Sequence, residues 1–263
     1  MGQVATTSGQ MLGAEDLGSD SGHPIVFLHG VGSDKSVWRP QLEHFGRVRR
    51  AVAFDYPGYG ESSRAEPGTS RDDYAQAIFA AMDSLGIAEA HVCGLSLGGV
   101  IAIAMHHAAP TRCRSLVLAD SFAVHPDGPG IYQRSVGAAR EGGMAALAAQ
   151  RTPFLLADDA PTDIRDAVQS TMARIDPAAF AIGAEAVWLA DQRDRLASIT
   201  VPTLVVVGAE DRVTPPALSE ELAALISGAR LEVIAGAGHI SNLEQPAEFN
   251  RLVEQFLAEV EGS

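Results

Sequence analysis

Six short apolar segments are distributed along the chain, and each is followed by a loop and usually by a helical stretch. Strands that are buried on both faces read as near-continuous apolar runs, and their alternation with helices is typical of a parallel sheet. The sequence therefore predicts an α/β fold with a mostly parallel sheet flanked by helices. The predicted strands are Ile25–Leu28, Ala51–Phe54, His91–Leu95, Ser115–Ala119, Thr203–Gly208 and Leu231–Ile234. The predicted helices are Val37–Phe45, Asp72–Leu85, Leu97–Ala108, Ala217–Ile226 and Ala247–Val260.

One long stretch interrupts this alternation. Residues 122–195 contain no convincing strand, only helical segments that are separated by Pro153, Pro161 and Pro177. We therefore expect residues 1–121 and 196–263 to form a core domain, with residues 122–195 inserted into it as an all-helical lid. Ligands bind at the carboxyl ends of the strands in open α/β sheets, so substrate selection is expected at this lid.

The sharpest local signal is the sequence Gly-Leu-Ser-Leu-Gly-Gly at residues 94–99, which follows the apolar segment His91-Val92-Cys93. A strand that turns this sharply into a helix leaves no room for flanking side chains, which explains the glycines on both sides of Ser96. The turn holds the serine hydroxyl clear of the chain at a helix N-terminus, as the G-x-S-x-G pattern requires of a nucleophile. The alternative is a structural serine in a tight turn.

A serine needs a base, and the candidate base is His239. A hydroxyl is a poor nucleophile until its proton is removed, and histidine titrates near neutral pH. His239 lies in a glycine-flanked turn after the last predicted strand. A carboxylate at Asp211 would fix the histidine tautomer and stabilise the imidazolium. Glu210 and Asp120 are the alternative acids, and the position after strand Thr203–Gly208 favours Asp211.

Four segments resemble those of the α/β hydrolases, and the resemblance covers about Ile25 to Leu257. The segments 29–32 and 55–62 are typical of the superfamily, whereas 94–99 and 238–246 are similar to the 3-oxoadipate enol-lactonase-like group. The order of serine, aspartate and histidine along the chain is also that of α/β hydrolases. The resemblance implies a serine hydrolase that cleaves a lactone or small carboxylic ester through a Ser-His-Asp triad and an acyl-enzyme.

The tetrahedral intermediate of such a reaction needs two backbone donors for its oxyanion. The amide of Leu97, which follows the nucleophile at the helix N-terminus, is expected to supply one of them. The resemblance implies that the amide of Val31, in the loop after the first predicted strand, supplies the other. His29 in the same loop is expected to brace it and not to act as a base.

The substrate pocket is harder to predict. The candidate lining residues, each equally compatible with a place in the core, are Trp38, Phe122, Phe154, Trp188 and Ile240. An anionic substrate would need an arginine in the lid, and the sequence gives no basis for choosing among Arg134, Arg140, Arg151 and Arg174.

Composition excludes several classes of partner and cofactor. A net charge of −14 argues against nucleic acid and anionic membrane surfaces, since both need a basic face. No apolar run approaches the roughly 20 residues of a membrane helix, and no signal peptide is evident.

The chain has no metal-binding motif, P-loop or dinucleotide fingerprint, so we expect neither metal nor cofactor. Cys93 and Cys113 are expected to be free thiols, which favours the cytoplasm. The oligomeric state is not predicted.

Two other functions stay open at this stage. One is a carbon–carbon bond hydrolase of aromatic ring-cleavage products, which resembles this chain in triad and lid. Members of that group typically carry Asn before the nucleophile and Trp shortly after the histidine, whereas this chain has Leu95 and Ile240-Ser241-Asn242. The other is a non-hydrolytic ligand receptor on the same fold, which no residue supports directly.

Overall fold

The computed structural model describes residues 2–6, 9–19 and 21–262, and these contain an eight-stranded sheet. The strands are β1 (Gly2–Ala5), β2 (Met11–Leu17), β3 (Ile25–Leu28), β4 (Ala51–Phe54), β5 (Ala90–Leu95), β6 (Cys113–Ala119), β7 (Thr203–Gly208) and β8 (Arg230–Ile234). Their order in the sheet is β1-β2-β4-β3-β5-β6-β7-β8. The β1–β2 and β2–β4 pairs are antiparallel, whereas β3 to β8 form parallel pairs. The predicted α/β class is therefore confirmed.

The first two strands lie upstream of the predicted fold and were not expected from the sequence. Strand β2 carries Gly13, Glu15 and Asp16, and these residue types are depleted in strands. Gly13 is required at its position because a Cβ there would overlap the carboxylate of Asp55. The local sequence has only a weak preference for a strand, and the pairing of β2 with β4 makes it one.

Helices cover the sheet, and ten α-helices are present in the described residues. They are α1 (Arg39–Phe45), α2 (Arg71–Ser84), α3 (Leu97–Ala108), α4 (Gly128–Leu155), α5 (Thr162–Ala173), α6 (Pro177–Trp188), α7 (Arg193–Leu196), α8 (Pro216–Leu225), α9 (Ser241–Glu244) and α10 (Pro246–Gly262). The predicted helix Val37–Phe45 is divided into a 3₁₀ turn, Lys35–Trp38, and α1. No helix of this part of the chain is long and apolar enough to cross a membrane.

Helices α4 to α7 make up the helical insertion between β6 and β7. A single β-bridge between Val124 and Asp191 joins its two ends. Pro153 does not separate two helices, as the sequence suggested, because it lies in the last turn of α4. The break falls at Gly143 instead, whose φ of 79° and ψ of 169° are non-helical. The domain boundaries at residues 121/122 and 195/196 stay a prediction.

The centre of the molecule is formed by β5 and the helix that follows it. Every residue of β5 is buried, and so is every residue of α3 from Leu97 to His106. The turn between them depends on two glycines. A Cβ on Gly94 would overlap the backbone of Gly98, and a Cβ on Gly98 would overlap the carbonyl group of Leu28.

Replacing Gly94 with alanine should therefore destabilise the fold. Overpacking against backbone that cannot move costs about 1–3 kcal/mol or more of the free energy of unfolding. Gly137→Ala in α4 is the matched control, because its Cβ would meet no atom within 4 Å. Alanine is the better helix former by about 1 kcal/mol, so this control should be as stable as the parent or more so. Urea unfolding measures both variants, and a Gly94→Ala protein as stable as the control would contradict the packing described.

Candidate active site

Ser96 lies between the end of β5 and the first residue of α3, in an unusual backbone conformation. Its φ of 54° and ψ of −111° place a non-glycine residue in a region that costs of order 1–3 kcal/mol. Hydrogen bonds on both sides hold it there. The Ser96 amide donates to Ala119 O over 2.9 Å, and the Ser96 carbonyl accepts from Gly99 N at 2.9 Å and from Ser121 Oγ at 3.1 Å. The strain is thus sustained by β6 and α3.

The hydroxyl of Ser96 is buried, and it has no hydrogen-bond partner among the described residues. It opens into a cavity of about 110 Å³ that His239 also lines. A buried polar group without a partner is costly in an ordinary core, so this hydroxyl needs an explanation. The unpaired hydroxyl and the neighbouring imidazole therefore mark this cavity as the candidate active site.

Asp211 and His239 form the second part of the site. Asp211 follows β7 and His239 follows β8, and Asp211 Oδ2 lies 2.8 Å from His239 Nδ1. The other carboxylate oxygen accepts from the amides of Val213 at 2.8 Å and Thr214 at 2.9 Å. The Thr214 hydroxyl donates to Oδ2 over 2.7 Å. These bonds fix the carboxylate against the imidazole and direct the second ring nitrogen, Nε2, away from the acid.

The charges of this pair reinforce one another. Burial by itself would raise the pKa of Asp211, but His239 and the Thr214 bonds outweigh it, so the pKa lies below its usual value. Burial by itself would lower the pKa of His239, but the Asp211 charge and hydrogen bond outweigh it and raise this pKa. Asp211 therefore stays ionised at neutral pH, and the imidazole beside it gains basicity.

The two alternative acids take other places. Glu210 is exposed to solvent, whereas Asp120 is fully buried at the end of β6. Asp120 accepts from Gly208 N at 2.9 Å and from Ser241 Oγ at 2.6 Å. Burial and the nearby Asp211 charge raise the pKa of Asp120 well above its usual range. Within the described residues no hydrogen bond joins Asp120 to His239, so Asp120 braces the loop that follows the histidine.

The helical insertion holds the histidine loop directly. His239 N donates to Leu155 O over 2.8 Å, at the end of α4. The buried carboxylate of Glu244 accepts from Gly238 N at 2.8 Å and from Ala157 N at 2.7 Å. The position of His239 is therefore set by the insertion as well as by the sheet.

The two predicted oxyanion donors flank the serine. Leu97 is the first residue of α3, and Val31 lines the cavity in the loop after β3. This loop passes close to Ser96, since a Cβ on Gly30 would lie 3.5 Å from Ser96 Cβ. His29 braces the loop, with its Nδ1 2.8 Å from Gly30 O. The oxyanion role of the two amides stays a prediction.

The structure places only two of the five predicted pocket residues on the cavity, Trp188 and Ile240. Trp38 is fully buried in the core, where its ring centroid lies 4.9 Å from that of Phe27. Phe122 is stacked behind Trp188 with ring centroids 5.9 Å apart, so it supports the wall without forming it. Phe154 is 58% exposed and lines a separate outer groove.

Several lining residues could not be found from the sequence, because they come from α4, α5 and α6 of the insertion. They are Leu155, Val168, Met172 and Phe180. Of the four candidate arginines, only Arg151 lines the cavity. Arg134 pairs with Asp127 at 2.6 Å, Arg174 bonds to Ser170 of the preceding helix α5, and Arg140 is exposed. Thr214, whose hydroxyl donates to Asp211, was also missed.

The chain belongs to the α/β hydrolase family, whose sequence profile matches residues 23–246. It is 30% identical to 3-oxoadipate enol-lactonase 1 of Acinetobacter baylyi, over 98% of this chain and 97% of that protein. It is also 30% identical to 2-hydroxymuconate semialdehyde hydrolase of Pseudomonas putida, over 99% of this chain and 95% of that protein. The crystal structure of the enol-lactonase from Burkholderia xenovorans LB400 superimposes with a TM-score of 0.89 at 29% identity, covering 97% and 99% of the two chains. The predicted resemblance is confirmed, and the chain is a hydrolase.

The geometry predicts unequal effects for the two buried aspartates. Asp211→Asn should preserve the shape of the site but favour the wrong histidine tautomer, with a loss of about 10³–10⁴ in kcat. Asp120→Asn and Glu210→Gln should each cost far less, because neither side chain bonds to the imidazole. Steady-state hydrolysis of an activated ester by the three folded variants measures this. A larger loss for Asp120→Asn than for Asp211→Asn would refute the assignment of the acid.

Proposed function

We propose that this hydrolase depends on Ser96 and cleaves a lactone or a small carboxylic ester through an acyl-enzyme. The observation that carries the proposal is that an unpaired buried serine hydroxyl and an acid-oriented imidazole open into the same small cavity. The proposed triad is Ser96, His239 and Asp211.

The reaction follows from these positions. His239 Nε2 takes the proton of Ser96 Oγ as the oxygen attacks the substrate carbonyl carbon. The amides of Leu97 and Val31 donate to the resulting oxyanion. Collapse of the intermediate breaks the carbon–oxygen ester bond, and the leaving alkoxide takes the proton from the imidazolium. Water then attacks the acyl-enzyme by the same route and frees Ser96.

The size and lining of the cavity favour a compact substrate. A volume of about 110 Å³ is small beside the several hundred Å³ of a typical drug-sized site. Most of the wall is apolar, with Leu95, Met172, Phe180 and Ile240 among its members. A small ring or a short acyl group fits such a site, so a small molecule is the proposed partner.

Arg151 adds a cationic position to this apolar cavity. Its guanidinium carbon lies 5.9 Å from the ring centre of Trp188, and no carboxylate of the described residues pairs with it. Burial lowers the pKa of Arg151 to about 10, so the side chain stays charged at neutral pH. A substrate that carries a carboxylate would therefore bind with that group at Arg151.

The proposed location is the cytoplasm. Cys93 and Cys113 are both buried and free, and burial raises the pKa of each thiol. Unpaired buried thiols persist in a reducing compartment, where disulfides are rare.

Ser96→Ala should lower kcat by roughly 10⁴–10⁶ while the protein stays folded, because the nucleophile is lost and the cavity is kept. The control is Ser84→Ala, which removes an exposed hydroxyl from the end of α2 and should leave turnover unchanged. Circular dichroism and ester hydrolysis are measured on both. Near-normal turnover by a folded Ser96→Ala protein would overturn the proposed function.

Hydrolysis of a lactone or short ester should exceed that of a carbon–carbon bond by a wide margin. Carbon–carbon cleavage also needs the substrate to ketonise, so that its carbanion leaving group is delocalised. Carbon–carbon hydrolases typically carry Asn at the position of Leu95 and Trp near the position of Ile240. Both Leu95 and Ile240 line the cavity. A parallel assay of lactones, short esters and vinylogous 1,5-diketones tests this. A kcat/KM for the diketones above that for every lactone and short ester tested would favour the carbon–carbon hydrolase and leave the triad intact.

A further inference from the structure

A second concave site lies beside the catalytic cavity. It is an open groove of about 640 Å³ between α4, the segment after β6 and the segment that leads into α8. Its apolar lining comes from Ile131, Ala138, Leu147, Phe154, Val213 and Leu218. We call it the outer groove.

Arg151 is the one described residue that lines both the catalytic cavity and the outer groove. The helix around it explains this position. In the last two turns of α4, Leu147 and Phe154 face the groove, whereas Leu155 faces the cavity. Arg151 lies between these two faces, so its side chain forms the partition.

Few contacts hold the Arg151 side chain in this position. The aromatic face of Trp188 is the contact that the structure gives the guanidinium, and no ion pair fixes it. The other two arginines of the groove are tied to carboxylates, Arg134 to Asp127 and Arg212 to Asp158, each at 2.6 Å. Without an ion pair to a described residue, the Arg151 side chain mainly fills the space between the cavity and the groove.

We infer that Arg151 limits the length of the acyl group by closing the catalytic cavity against the outer groove. Removing the side chain joins a cavity of about 110 Å³ to an apolar groove of about 640 Å³. Phe154, which is 58% exposed, then becomes part of the acyl site. The inference rests on the proposed function, because the acyl group must be bound at Ser96.

The test is the acyl-chain preference of neutral p-nitrophenyl esters from acetate to octanoate. In the parent protein kcat/KM should fall steeply beyond the shortest acyl groups. In Arg151→Ala the ratio of octanoate to acetate should rise by tenfold or more, since each newly buried methylene contributes roughly fourfold. Phe154→Ser in the Arg151→Ala background should reverse much of that gain, and in the parent it should change the ratio little.

Two matched variants separate volume from charge and from surface effects. Arg151→Met removes the charge but keeps a long side chain, so it should keep the chain-length ratio of the parent. Arg140→Ala makes the same substitution at an exposed position of α4. It should also keep the chain-length ratio of the parent.

Three results would overturn the partition: an unchanged ratio in Arg151→Ala, an equal rise in Arg151→Met, or a parent that hydrolyses octanoate as well as acetate. The third result is measured on the parent protein alone, so it does not depend on whether a variant folds. Acetate hydrolysis that is lost in Ser96→Ala keeps the proposed function intact in all three cases, so the two claims fail separately.

Discussion

The site depends on the close approach of two stretches of backbone where β5 leaves the sheet and α3 begins. Gly94 lies against Gly98, and Gly98 lies against Leu28 of β3, with no space for a side chain at either contact. Because the helix can start directly behind the strand, Ser96 is held at a φ of 54°. Every residue of β3 and β5 is buried, so the surrounding packing sustains that strain. The hydroxyl is thus presented by the interior of the fold.

Asp211 and His239 lie on loops, and a different set of contacts holds them. Asp211 is fixed by the amides that follow it, and His239 is fixed by Asp211 and by Leu155 O of the insertion. Glu244 ties the same loop to the insertion through two backbone amides. The helices that line the cavity therefore also position His239. The insertion therefore lines the cavity and also holds the histidine loop, so it is not a detachable cover.

The sequence predicts β3, β4 and β7 at their observed bounds, because strands buried on both faces leave a continuous apolar run. It also predicts Ser96, Asp211 and His239 as members of one site, because the turn motif and the order of the three residues match the α/β-hydrolase pattern. It does not predict β2, whose acidic residues and glycine disfavour a strand. Nor does it separate Trp188, which lines the cavity, from Trp38, which packs in the core. Side-chain direction in the insertion depends on tertiary packing, which explains why Arg151 could not be chosen from the sequence.

The proposed function requires that the serine hydroxyl at this strained turn becomes covalently acylated during turnover. Rapid-quench mass spectrometry of the parent protein with an activated ester measures this directly. We predict a transient mass increase equal to one acyl group, located on the peptide that contains Ser96 and formed at least as fast as turnover. Hydrolysis that proceeds with this peptide unmodified, or with the acyl group on another residue, would contradict the account.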